Sequence, residues 1–111
     1  MNKVIIMGNV GNAPSIKEFT SGSRSAIFDV GVHENTKDKD GVPIRTTEWF
    51  KCIAWGKTVE FIEKYVEKGA KCFVEGKLKS RTYTNNEGVE VKVWEVLVER
   101  FELLTWDKPT S

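Results

Sequence analysis

Apolar and polar positions alternate along most of the chain, and in one segment the alternation gives way to a helical period. Asn2 to Val10 is rich in Val, Ile and Met and runs into Gly8, Asn9 and Gly11, the composition of a strand entering a turn; Ser15 to Phe19 extends it beyond Pro14. Ser25 to His33 sets Ile27, Asp29 and Gly31 on one face against Phe28, Val30 and Val32 on the other, which predicts a second strand. Glu34 to Arg45 is polar, with Lys37-Asp38-Lys39-Asp40 ahead of Gly41, and predicts a long exposed hairpin loop with solvated charges. Thr46 to Trp55 is the third strand. From Thr58 to Lys68 the period changes: Val59, Ile62 and Val66 follow i, i+3, i+7, and Phe61 and Tyr65 widen the stripe. With Thr58 as N-cap and Gly69 as a stop, this is a short amphipathic helix. Lys71 to Thr84 returns to period two, Asn85-Asn86-Glu87-Gly88 supplies a turn, and Val89 to Leu104 is the last long strand.

Three strands, one helix and two strands are the layout of an all-β fold with one short helix, the five-stranded OB barrel. The 111 residues fit one domain over 1–104 with a short tail over 105–111. No apolar run approaches the roughly 18 residues of a spanning helix, and the N-terminus lacks the order of a signal peptide, so a cytosolic protein is expected. Cys52 and Cys72 lie in apolar stretches without metal-ligand spacing and are expected in the core; the single histidine, His33, is expected to be structural. Paired carboxylates, a nucleophile with its base, a P-loop and a dinucleotide-binding glycine pattern are all absent from the sequence, so neither catalysis nor a metal or cofactor is expected.

Charge constrains any nucleic-acid surface, because 17 Lys+Arg against 16 Asp+Glu leave a net +1. Such a surface has to be local, with cations and aromatics on one face. On the third strand Trp49, Lys51, Ile53 and Trp55 share a face opposite Phe50, Cys52 and Ala54. An exposed indole offers any base a surface to stack on, worth about 1–3 kcal/mol. The alternative for either tryptophan is packing under a loop or in a subunit contact. On the fourth strand Phe73, Glu75, Lys77, Lys79, Arg81 and Tyr83 share a face opposite Cys72, Val74, Gly76 and Leu78. Three successive cations ending in an aromatic fit a phosphate track, or else a strand edge kept soluble by lysines. Lys57, just beyond Trp55 and Gly56, adds a further candidate phosphate contact. Trp94, among Val91, Val93, Val96 and Val98, is expected in the core or an interface; Trp106 lies in the tail.

The opening Asn-Lys-Val-Ile-Ile-Met-Gly-Asn-Val-Gly-Asn-Ala-Pro, Thr-Glu-Trp-Phe-Lys at 47–51, Trp-Gly-Lys at 55–57, Tyr-Val-Glu-Lys-Gly-Ala at 65–70 and Val-Glu-Gly-Lys-Leu-Lys-Ser-Arg-Thr-Tyr at 74–83 resemble the bacterial single-stranded DNA-binding protein family. The resemblance runs from Met1 to about Leu104. It implies an OB fold assembled as a homotetramer, a dimer of dimers, that holds single-stranded DNA in replication, recombination and repair, in the cytoplasm with the nucleoid. It further implies that Trp49, Trp55 and Tyr83 stack on bases and that Lys51, Lys57, Lys79 and Arg81 meet phosphates, with Lys3 and Lys77 carried over on a weaker match. Two departures from the family stand out. Glu34 to Asp40 holds no aromatic where members often carry a tryptophan, and the sequence ends at Trp106–Ser111 where members continue into a linker closed by an acidic tip. Contacts with replication and repair proteins therefore stay open. The rival reading is an OB-fold primosome adaptor acting mainly through protein contacts.

Overall fold

A computed structural model describes residues 1–104, so the tail over 105–111, with Trp106, lies outside the described residues. The elements are β1 (Val4–Val10), β2 (Ser15–Glu18), β3 (Arg24–Lys37), β4 (Pro43–Trp55), α1 (Lys57–Tyr65), β5 (Lys71–Thr84) and β6 (Glu90–Leu103). β1 runs antiparallel to β5 from Val4 to Asn9, then passes to β3, where Asn9 and Val10 pair with Gly31 and Val30. β5 pairs with β6, and β6 joins β4 in parallel through Cys52–Val96 and Ile53–Leu97. β4 pairs along its full length with β3, and the circuit β1-β5-β6-β4-β3 closes on itself as a five-stranded OB barrel. β2 takes up the pairing with β3 that β1 begins, so the chain beyond Pro14 does extend the first strand, after a break at 11–14.

Inward-facing Phe28, Val30, Cys52, Ala54, Cys72, Val74 and Val96 are fully buried or nearly so. The buried Val59 and Ile62 of α1 join this core, the expected use of one helical stripe. Burial pushes the Cys52 thiol up to about 12 and the Cys72 thiol to about 11, so both are neutral at physiological pH and serve as small apolar fillers. Among the described residues no helix is long and apolar enough to cross a membrane.

Three expectations need correction. Residues 34–37 and 43–45 are not loop: the β3–β4 ladder continues to Lys37↔Pro43, and only the turn around Asp38 remains, tied by its carboxylate to the N–H groups of Asp40 and Val42. Polar composition marks solvent exposure on both faces here, which a two-stranded arm beyond the barrel shares with a loop. Helix α1 is shorter than 58–68 and has Gly56, not Thr58, at its N-cap, with no side-chain cap bond; Val66 is already extended. Trp94, expected in the core or an interface, is 56% exposed and so is not in the core, and Leu78 on the same side of the ribbon is 39% exposed. Both lie where β5 and β6 outrun the barrel: β1 leaves β5 at Gly76, and β4 touches β6 only at Val96 and Leu97.

Where β1 passes to β3, a Cβ on Gly8 would collide with the Gly31 carbonyl oxygen and come within 3.0 Å of Val30 Cγ1. Backbone on one side and a buried valine on the other leave no room to yield. Gly8→Ala is expected to lower unfolding stability by about 1–3 kcal/mol, the usual cost of overpacking. Urea denaturation tests this, and an unchanged midpoint and slope would show that the seam can relax.

Candidate nucleic-acid interface

Register, more than sequence spacing, assembles this surface. Paired residues in adjacent strands point to the same side of a sheet, so the parallel pair Ile53–Leu97 and the antiparallel pair Leu97–Lys77 put the outward face of β4 beside that of β5, with β6 between. The two groups expected from sequence therefore form one outer surface. Trp49, Lys51, Ile53 and Trp55 lie on one side and Lys77, Lys79, Arg81 and Tyr83 on the other, with Ile53 and Lys77 about 10 Å apart at two strand spacings where the strands are joined. Lys57 opens α1 just beyond Trp55. Lys3, just before β1, lines a groove together with Lys77 and Lys79, on the side of β5 away from β6.

Trp49 is 58% exposed and does not fill the core. The benzo ring of its indole lies over the backbone of Gly11 and of its cross-strand partner Gly31, where a Cβ would stand 2.8 Å from Cζ3. With no side chains beneath it, the ring rests on peptide and keeps its remaining surface open. Trp55, 44% exposed, stacks on Phe19 with centroids 5.3 Å apart and planes inclined by 28°. Lys17 Nζ sits 5.1 Å from the Phe19 centroid. Register explains the group: Lys17, Ser25 and Trp55 are aligned across β2, β3 and β4, and the buried, small Ser25 lets the flanking residues close over it. Trp49 and Trp55 stand about 20 Å apart along β4, at about 3.3 Å per residue.

The cations divide into two sets. Lys3 donates to Glu75 at 2.6 Å, which raises the Lys3 pKa and holds the Glu75 carboxyl below its usual range. Lys77 lies 3.8 Å from Glu99. Arg81 donates Nε–H to both oxygens of the nearly buried Glu95, at 3.0 and 3.1 Å, with its guanidinium carbon 5.7 Å from the Tyr83 centroid. Lys51, Lys57 and Lys79 have no carboxylate within ion-pair distance among the described residues. Paired cations have already met a counter-charge; the second set has not. His33 Nδ1 lies 2.8 Å from Thr47 Oγ1, on the same side of the β3–β4 arm as Trp49 and Arg45.

Sequence reading missed Phe19, Lys17, Gly11, Gly31, Arg45 and Glu95. Lys17 and Phe19 do show strand alternation, but nothing in sequence links them to Trp55. Glycine next to a turn carried no sign of an indole above it.

A closed barrel of this connectivity, with aromatic and ammonium groups on an open sheet face, is an OB fold, a class whose strand faces and hairpin loops bind oligonucleotides and oligosaccharides. The chain belongs to the single-strand binding protein family, whose family model matches residues 1–104. A single-stranded DNA-binding protein of Bacteroides thetaiotaomicron is 35% identical over 108 residues, covering 95% of this chain and 66% of that protein. One from Xylella fastidiosa is 34% identical over 104 residues, covering 94% and 63%. Among solved structures, a Plasmodium falciparum SSB complex with ssDNA aligns with a TM-score of 0.83 at 26% identity, covering 96% of each chain. The chain thus spans 66% and 63% of the length of the two bacterial relatives.

Exposed rings predict a modest stability cost on removal. Trp49→Ala and Trp55→Ala should each lose clearly less than the about 3–5 kcal/mol typical of deleting a buried large aromatic. Trp55→Ala should cost at least its pairing with Phe19, about 0.5–1.5 kcal/mol. Urea titrations at fixed protein concentration measure both, and a loss in the buried range would mean that the ring in question is structural.

Proposed function

We propose that this chain binds single-stranded DNA with little regard to sequence, and that it protects and organises single strands during DNA replication, recombination and repair. The observation that carries this is Trp49, an indole seated on bare glycine backbone with more than half its surface open, on a face that continues through Leu97 to Lys77, Lys79, Arg81 and Tyr83. Bases stack on Trp49, Trp55 and Tyr83, and every base has a π-face, so the contact tolerates any sequence. Lys51, Lys57 and Lys79 take phosphates directly, whereas Lys3, Lys77 and Arg81 first exchange a carboxylate for a phosphate. Stacking and charge neutralisation need neither cofactor nor metal. The place of action is the cytoplasm, with the nucleoid.

Titration with oligo(dT) at several salt concentrations tests the reading. Tryptophan emission should be quenched by the single strand and not by the matching duplex; an equal response to both, or none, favours the adaptor instead. The affinity should fall with salt at about −0.7 in log–log slope per phosphate neutralised. Lys79→Ala should flatten that slope more than Lys3→Ala does, because only the Lys3 ammonium already has a carboxylate. Equal effects from the two substitutions would discard this division of the cations.

The working form is a homotetramer, a dimer of dimers. Ile5 and Met7 project outward from β1 at 59% and 52% exposure, and Met7 is the cross-strand neighbour of Phe73. Apolar groups gathered on an outer strand face suit cover by another subunit. Light scattering at micromolar concentration should return a mass well above that of one chain, and Met7→Asp should lower it. A monomeric mass for the unaltered protein refutes the assembly.

A further inference from the structure

Residues 77–84 of β5 and 90–95 of β6 form a two-stranded ribbon that pairs with no other strand, so both its faces meet solvent. Lys77, Lys79, Arg81 and Tyr83 occupy one face. The other continues the inward side of the barrel and carries Leu78, Ser80, Lys92 and Trp94, with Ser80 directly opposite Trp94. Leaving the barrel has turned a core face into an exposed one, and 56% of Trp94 is open. We infer that this second face is a further single-stranded nucleic-acid site, in which Trp94 stacks on a base of a strand that has rounded the ribbon from the Tyr83 face. The inference rests on the DNA-binding reading above.

Three observations favour this occupant. Lys92 Nζ sits 5.0 Å from the Trp94 centroid and has no ion-pair partner among the described residues, so available positive charge lies beside the indole. A groove beside the ring is lined by Asn2, Lys3, Lys77, Lys79 and Ser80, and its acidic member, Glu99, is turned to Lys77 at 3.8 Å. Its apolar members are Met1, Leu78 and Trp94 alone, little beside the about 800 Å² per partner that a stable protein contact covers. The groove wall is fixed: Asn2 donates to the Leu78 carbonyl at 2.8 Å and accepts the Leu78 N–H at 3.0 Å, clamping the N-terminal segment to β5. An indole with a cation beside it, hydroxyl and amide groups around it and little apolar surface suits a base and its phosphate.

Strand length separates this site from the Trp49 face. The unaltered protein is titrated with an oligo(dT) of about 6 nucleotides, within the span of one OB fold, and with one several times longer. Trp94→Ala should weaken the long strand about tenfold and leave the short one unchanged, Trp94→Phe should recover most of the loss, and the mass by light scattering should stay constant. Equal loss on both lengths, no loss on either, or a fallen mass overturns the inference; the last makes Trp94 a subunit contact. Should Trp94→Ala not fold, a chain carrying Trp49→Phe, Trp55→Phe and Trp106→Phe keeps Trp94 as its only indole. Its emission should be quenched by the long strand and not by the short one, and absence of quenching at concentrations where the anisotropy of a labelled long strand shows it bound rejects the site. Failure of the unaltered protein to bind either strand is the separate result that removes the underlying reading.

Discussion

The close passage of β1 over β3 is the constraint on which the rest of the molecule depends. A five-stranded barrel closes only if every strand pairs with two neighbours, and β1 completes the circuit by leaving β5 and joining β3 at Asn9 and Val10. At that point backbone meets backbone: the space that a methyl group on Gly8 would need is taken by the Gly31 carbonyl. Gly31 also faces Trp49 across β3 and β4, and with Gly11 it leaves a floor of bare peptide under the indole. The lack of side chains therefore closes the barrel and at the same place supports its most exposed large ring on β4. Gly31 links the two, which ties the candidate binding face to the stability of the seam.

Electrostatics on the outer surface is a matter of pairing more than of number. With a net charge of +1 the protein exerts little long-range pull, and at physiological salt exposed charges are screened beyond about 8 Å. Local imbalance is what remains. Glu75, Glu99 and Glu95 each meet one of Lys3, Lys77 and Arg81, while Lys51, Lys57 and Lys79 make no ion pair among the described residues. Glu95 has a second consequence. It is almost buried, and by engaging Arg81 through Nε it sets the guanidinium near the Tyr83 ring. An ion pair with one exposed partner adds little stability, but it restricts where a long side chain points.

The two projecting hairpins, β3–β4 and β5–β6, show how a barrel only five strands round can present a long surface. Each ladder runs past the closed circuit, so its outward residues extend the sheet face and its inward residues emerge from the core into water. Leu78 and Trp94 make that passage on one ribbon; Val42 and Ile44 are exposed at the end of the other arm.

Element order, the helix between the third and fourth long strands, the buried stripe of Val59 and Ile62, the core places of Cys52 and Cys72, and the exposed alternation of Trp49, Lys51 and Trp55 were all legible in sequence. Each depends on a local period, two residues for a strand and 3.6 for a helix, and a period survives in one dimension. The length of the β3–β4 arm was not legible, because residues exposed on both sides lose the alternation that marks a strand. Nor could sequence show that Leu78 and Trp94 leave the core, since their pattern is that of barrel residues and only the point where β1 and β4 part from the ribbon changes their surroundings. The same holds for the union of Trp49 and Tyr83 on one surface, for Phe19 against Trp55, for the glycine floor under Trp49, and for which cations are already paired. All of these are contacts between strands distant in sequence. They are decided by register across the closed barrel, which no local period encodes.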